Sequence, residues 1–197
     1  MYFTKTETAI LKIFTSEITE SFTIREISRK LRQNYSIVYS ALQNLYKNNF
    51  LIKDKHKNFS LDYKKNLSDL AYNESLRAEE FLKKYKDIKL FSNEVINKLG
   101  LGFFSLLVFG SYVKGKQKKK SDVDILLIIE NLKEVEKIER QLKNISEKYG
   151  NFDCHVISKE SVVEMLNERE KLNVINETLN NHVILFGAED YYRLIST

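Results

Sequence analysis

The stretch Asp122-Val123-Asp124-Ile125-Leu126-Leu127-Ile128-Ile129 constrains the chain more than any other. Its apolar run is that of a strand buried on both faces, and residues two apart point the same way, so two carboxylates share one side of its head. Aspartate is a poor strand former, and like charges held together at a buried strand edge are costly unless a cation neutralises them. Hard oxygen ligands of this kind suit Mg²⁺. The plain alternative has Asp122 capping a loop and Asp124 solvated, and the loop just upstream weighs against it.

That loop follows a second apolar run, Phe103-Phe104-Ser105-Leu106-Leu107-Val108-Phe109, bounded by glycines. The chain then passes through Gly110-Ser111-Tyr112-Val113-Lys114-Gly115-Lys116. A strand that gives way to a short helix presents backbone N–H groups and the Ser111 hydroxyl to an anion, with Lys114 and Lys116 adding positive potential. Gly110, Ser111, Lys114 and Lys116 are therefore the candidate phosphate-binding residues. A P-loop would match up to Gly115-Lys116, but Gln117 stands where a metal-binding hydroxyl is required. The next strand also begins too soon for the long helix that a P-loop feeds.

The string Val108-Phe109-Gly110-Ser111, followed by Asp122-Val123-Asp124-Ile125 with Asp122 eleven positions beyond Ser111, resembles the signature of the DNA polymerase β nucleotidyltransferase superfamily, and within it the minimal nucleotidyltransferases. The resemblance implies that the Gly-Ser loop holds nucleotide phosphates and that Asp122 and Asp124 hold two Mg²⁺ ions. Lys114 stands where many relatives carry arginine, which keeps the charge and loses bidentate contact. The family also uses a third carboxylate on a neighbouring strand. In Phe152-Asp153-Cys154-His155-Val156-Ile157, Asp153 and His155 share one face, so Asp153 is the expected third catalytic and metal-binding residue, able to take a proton from the attacking hydroxyl. His155 is expected to be a bystander. The tail His182-Val183-Ile184-Leu185-Phe186-Gly187-Ala188-Glu189 resembles the same family, and Tyr191 and Tyr192 read as core residues rather than base-stacking ones.

Charge divides the chain. Residues 1–66 hold twelve Lys or Arg against six Asp or Glu, a balance of +6 that leaves the remainder at −1. A locally basic module attracts polyanions. Within it, apolar spacing predicts a helix over 6–17, a capping box Thr23-Ile24-Arg25-Glu26 opens a second, and a third starts near Ser36 and stops at Asn48-Asn49. Two short strands, Phe50 to Lys53 and Asn58 to Leu61, flank the basic tip Asp54-Lys55-His56-Lys57. The run from Ser36 to Leu42 and on through Ile52 resembles the winged-helix domains of prokaryotic transcription regulators. That implies double-stranded DNA as a partner, with Ser36, Tyr39, Ser40, Gln43 and Lys47 on the groove-facing side and Lys55 and Lys57 on the wing. Docking of protein instead of DNA is the competing use of such a module.

Residues 67–99 lack proline and carry glycine nowhere. They read as a helical linker that can pack against its own copy in a homodimer. The expected class is thus α/β (α+β): a winged helix over 1–66, the linker over 67–99, and over 100–197 a nucleotidyltransferase domain with a small mixed sheet flanked by helices. No apolar run is long enough for a membrane span, and the single Cys154 fits a reducing compartment, so the cytoplasm is expected. The expected activity is transfer of a nucleoside monophosphate from an NTP, ATP foremost, to an acceptor hydroxyl on a protein, small molecule or nucleic acid. The alternative is a DNA-binding regulator that only senses nucleotide, and a purely structural protein is the third option.

Overall fold

The computed structural model describes residues 3–118, 121–168 and 173–196. Near the N-terminus, α1 (Lys5–Ser16), α2 (Ile24–Leu31) and α3 (Tyr35–Lys47) precede a hairpin of β2 (Leu51–Lys53) and β3 (Phe59–Leu61). Thr23 and Glu26 form the reciprocal capping box that starts α2. Asn49, at φ +60°, turns the chain left-handed out of α3. A third strand, β1 (Ser21–Phe22), pairs antiparallel with β3 and gives the order β1-β3-β2. Two residues are too short to show periodicity, so β1 has no signature in the sequence.

Two helices follow, α4 (Leu67–Lys84) and α5 (Lys86–Lys98), divided at Tyr85, where φ −120° and ψ 85° leave helical geometry. Next come β4 (Phe104–Phe109), α6 (Gly110–Val113), β5 (Val123–Ile129), α7 (Val135–Ser146) and β6 (Phe152–Ser158). The chain ends with α8 (Lys159–Asn167), α9 (Val174–Thr178), β7 (Val183–Phe186) and α10 (Ala188–Ile195). The larger sheet is mixed, with order β6-β5-β4-β7: β4 runs antiparallel to β5 and β7, while β5 and β6 are parallel.

This sheet separates two apolar cores, as the alternation of side chains demands. On one face Leu106, Val108, Ile125 and Leu127 pack with Ile88, Phe91 and Val95 of α5 and with Ile138 and Leu142 of α7. On the other, Leu107, Leu126 and Ile128 join Tyr191, Tyr192 and Ile175, and this core continues through Leu70 into Ile10, Phe14, Leu42, Phe50 and Phe59 of the N-terminal module. The N-terminal helices and the larger sheet therefore share buried surface.

A buried polar cluster lies at their junction. Arg77 Nη1 donates to both carboxylate oxygens of Glu74 at 2.7 Å, and Tyr192 Oη donates to the same carboxylate at 2.8 Å. Arg77 also reaches Thr15 of α1 at 3.3 Å and the His182 carbonyl at 2.5 Å. The buried side of α4, with Leu70, Asn73, Glu74, Arg77 and Ala78, thus packs inside the chain. Backbone bonds add a clasp: Ile18 N–H donates to the Leu179 carbonyl at 3.2 Å and Asn181 N–H to the Ser16 carbonyl at 2.6 Å.

Glu74 is fully buried, so removal of its partner strands a charge in a place without water. Arg77→Ala is expected to lower unfolding free energy by about 3–5 kcal/mol in urea titration. A loss within about 0.5 kcal/mol would mean that the pair is solvated in solution.

Candidate active site

The heads of β5 and β6 and the tail of β4 meet at one end of the sheet. Asp124 pairs with Phe109 across the antiparallel ladder and with Asp153 across the parallel one. Register partners on adjacent strands project to the same side, so Asp124 and Asp153 are neighbours on the face that carries Leu126 and Ile128. His155, two residues on, shares that face. Its Nε2 lies 3.5 Å from Asp153 Oδ2, and its ring sits 6.2 Å from that of Phe109.

Asp124 is pressed against the loop that follows β4. Gly110 has φ +71°, and a Cβ at this position would lie 2.0 Å from Asp124 Oδ2, so no other residue fits there without moving the carboxylate. The Ser111 backbone N–H faces the Asp124 carboxylate and favours its charged form. This N–H is one of those the sequence assigned to an anion, and the Asp124 carboxylate lies close to it because the strand head packs against Gly110 at the start of α6. Burial is the largest influence on Asp124 and raises its pKa above 3.8; the Ser111 N–H opposes that shift, while the charges of Asp153 and Glu177 add to it and His155 lowers it.

Asp122 stands just outside the strand. Pairing starts at Val123, whose N–H donates to the Asn151 carbonyl at 2.9 Å, and this leaves Asp122 exposed at the lip and not within β5 as its sequence position suggested. Lys114 follows α6 and places Nζ 3.7 Å from Glu177 Oε1 on α9, while Lys116 is exposed. Glu177 had no signal in the sequence: it lies far from the aspartates along the chain, on a five-residue helix with no motif of its own. Cys154 points to the opposite face, where burial pushes its thiol up to about 12, so it offers no thiolate.

The carboxylates suit a hard divalent cation. The charge of Asp153 makes Asp124 costlier to ionise, and a cation beside them relieves that cost. Among the described residues, no three His, Cys, Asp or Glu side chains converge tightly enough to hold a metal unaided. Mg²⁺ is usually bound by one or two carboxylates completed by substrate phosphates, and this open donor set is of that type.

A cavity of about 670 Å³ lies beside the site but on the other side of the sheet. It is lined by Tyr85, Tyr112, Ser121, Val123 and Phe152. Val123 and Phe152 alternate with Asp124 and Asp153, so this cavity does not contain the carboxylate pair.

In the N-terminal module, Ser36, Tyr39, Ser40 and Lys47 are exposed on α3, with Gln43 half-buried, and Lys55 and Lys57 are exposed at the hairpin tip. Val38, Ala41, Leu42 and Leu45 form the buried side. Tyr35 and Ile37, which sequence pattern did not place on this face, are about half exposed on it, and the Tyr35 and Tyr39 rings stack at 6.3 Å. Ser40 Oγ donates back to the Ser36 carbonyl, so its hydroxyl is satisfied within the helix.

Residues 104–191 match the family model described as Polymerase beta, Nucleotidyltransferase, which supports that superfamily for this part of the chain. No curated protein matches the chain significantly. A crystal structure of the Thermotoga maritima IclR aligns at 19% identity and a TM-score of 0.29, over 54% of this chain and 39% of that one, so the chain spans well under half the length of that protein. Among the described residues, no helix is long and apolar enough to cross a membrane.

The raised pKa of Asp124 has a definite sign. Its protonated form suits the folded state better than the unfolded one, so its contribution is fully present below the ordinary 3.8 and is lost as pH rises through the higher native value. In metal-free buffer, Asp124→Asn is expected to match wild type in stability at the acid end of that window and to exceed it above. Urea titrations across pH check this, and a constant difference between the two proteins would contradict it.

Proposed function

We propose that the chain is a Mg²⁺-dependent nucleotidyltransferase, which moves a nucleoside monophosphate from an NTP, ATP foremost, to an acceptor hydroxyl and releases pyrophosphate. The observation that carries this reading is the register pairing of Asp124 with Asp153 beside the Ser111 N–H, within the stretch matched by the nucleotidyltransferase model. Asp122, Asp124 and Asp153 would hold the ions, whose charge would stabilise the triphosphate and make the acceptor hydroxyl more acidic. Gly110 lets the main chain approach the phosphates, Ser111 offers its hydroxyl, and Lys114 and Lys116 draw in the negative charge. Asp153 is exposed and lies next to His155, where it can take the proton that the attacking hydroxyl loses. Tyr191 and Tyr192 take no part, since both are fully buried.

We assign residues 1–66 to a winged-helix DNA-binding domain, residues 67–99 to a helical linker and residues 100–197 to the transferase domain, in a cytoplasmic homodimer. The exposed polar side of α3 and the basic hairpin tip support the DNA assignment. The core shared between the N-terminal helices and the sheet favours a second reading, in which nucleotide occupancy is sensed and reported to DNA without turnover.

Incubation with each α-labelled NTP, Mg²⁺ and cell extract separates the two. Label transfer that falls by about 10²-fold or more in Asp124→Asn supports the enzyme. Nucleotide binding without transfer supports the sensor, and neither outcome is compatible with a protein that binds no nucleotide. Gel shifts over a salt series address the other half: Lys55→Ala is expected to reduce the slope of log affinity against log salt by about 1. An unchanged slope removes Lys55 from the phosphate contacts.

A further inference from the structure

Glu177 occupies a position that neither sequence pattern nor family match assigns. It projects from α9, which is firmly seated: Ile175 and Thr178 are fully buried, and the Asn173 side chain caps the helix by accepting from the Asn176 N–H at 2.8 Å. The carboxylate of Glu177 lies 3.7 Å from Lys114 Nζ, and its charge reaches Asp124. The cation that the nucleotide reading offers to phosphate therefore already has a counter-ion, supplied from the acidic side of the site. Both side chains are partly open to solvent, at 36% for Lys114 and 51% for Glu177, so an incoming ligand can reach and separate them.

We propose that Glu177 is a latch on the nucleotide site: it holds Lys114 at the lip of the loop and must surrender it to the polyphosphate of a nucleoside triphosphate. This rests on the nucleotidyltransferase reading given above. A triphosphate carries more charge than a carboxylate and presents several oxygens to one ammonium, so the exchange runs forward on binding. The ion pair opposes binding by the amount needed to open it, and that opposition requires both partners. Glu177 acts through Lys114, as a positioning residue.

A double-mutant cycle tests the idea. ATP binding is measured by calorimetry for wild type, Glu177→Gln, Lys114→Ala and the double variant, once in EDTA and once in Mg²⁺, with inorganic tripolyphosphate as a second probe. Thermal melting verifies that each variant folds, which the exposure of both side chains leads one to expect. Glu177→Gln is expected to tighten ATP about two- to five-fold, and this gain disappears when Lys114 is already alanine. An unchanged or weakened affinity in Glu177→Gln, while wild type binds ATP, overturns the latch and leaves the nucleotidyltransferase reading standing. A gain that persists in full without Lys114 also overturns it, because it shows simple repulsion by the carboxylate. If wild type and every variant ignore both ATP and tripolyphosphate, the latch and the reading beneath it fall together.

Discussion

The β4–β5 ladder, closed to water on both faces, governs where charge can exist in this protein. Every residue of β4 and all of β5 but Asp124 is buried. An ionised group inside such a ladder would lose its hydration with nothing to replace it. Carboxylates can therefore stand only where the strand emerges, and Asp124 stands there, over Gly110 and under the Ser111 N–H. The site lies at the end of the sheet for the same reason that the sheet is stable.

A parallel neighbour turns this single carboxylate into a pair. Because β6 runs in the same direction as β5, its head lies beside the head of β5, and Asp153 arrives in register with Asp124. An antiparallel β6 would have placed its head at the opposite end of the sheet. The crossover through α7 is what allows the parallel return, and α7 covers one face of the sheet in doing so. The pairing of the two carboxylates and the packing of that face thus come from one connection.

The second face joins the site to the N-terminal helices. Its core runs without interruption from Leu126 and Ile128 through Tyr191 and Leu70 to Phe14 and Phe50. The clasp between residues 16–18 and 179–181 follows directly after α9, which carries Glu177. These hydrogen bonds tie the end of α1 to the segment that follows α9. Glu74 and Arg77 hold the same junction from α4, and their charges are matched to each other and to Thr15, Tyr192 and the His182 carbonyl. Apolar packing holds the two parts together, and the paired charges prescribe the orientation in which they meet.

The elements with strong periodicity were legible in the chain itself: the α3 stripe of Val38, Leu42 and Leu45, the Thr23 capping box, the apolar runs of β4 and β5, and the alternation that sends Asp153 and Cys154 to opposite faces of β6. Local spacing suffices for these because each depends on neighbours within one or two turns or strand steps. The two-residue β1, the exit of Asp122 from the strand and the approach of Glu177 to Lys114 had no such signature. Each depends on partners distant in sequence: β1 on β3, Val123 on Asn151, and Glu177 on the seating of α9. Sequence determined which segments become buried strands and amphipathic helices, since apolar periodicity is imposed locally. Tertiary structure alone decided which charges meet, because that depends on strand direction and on the packing of remote segments across a shared core.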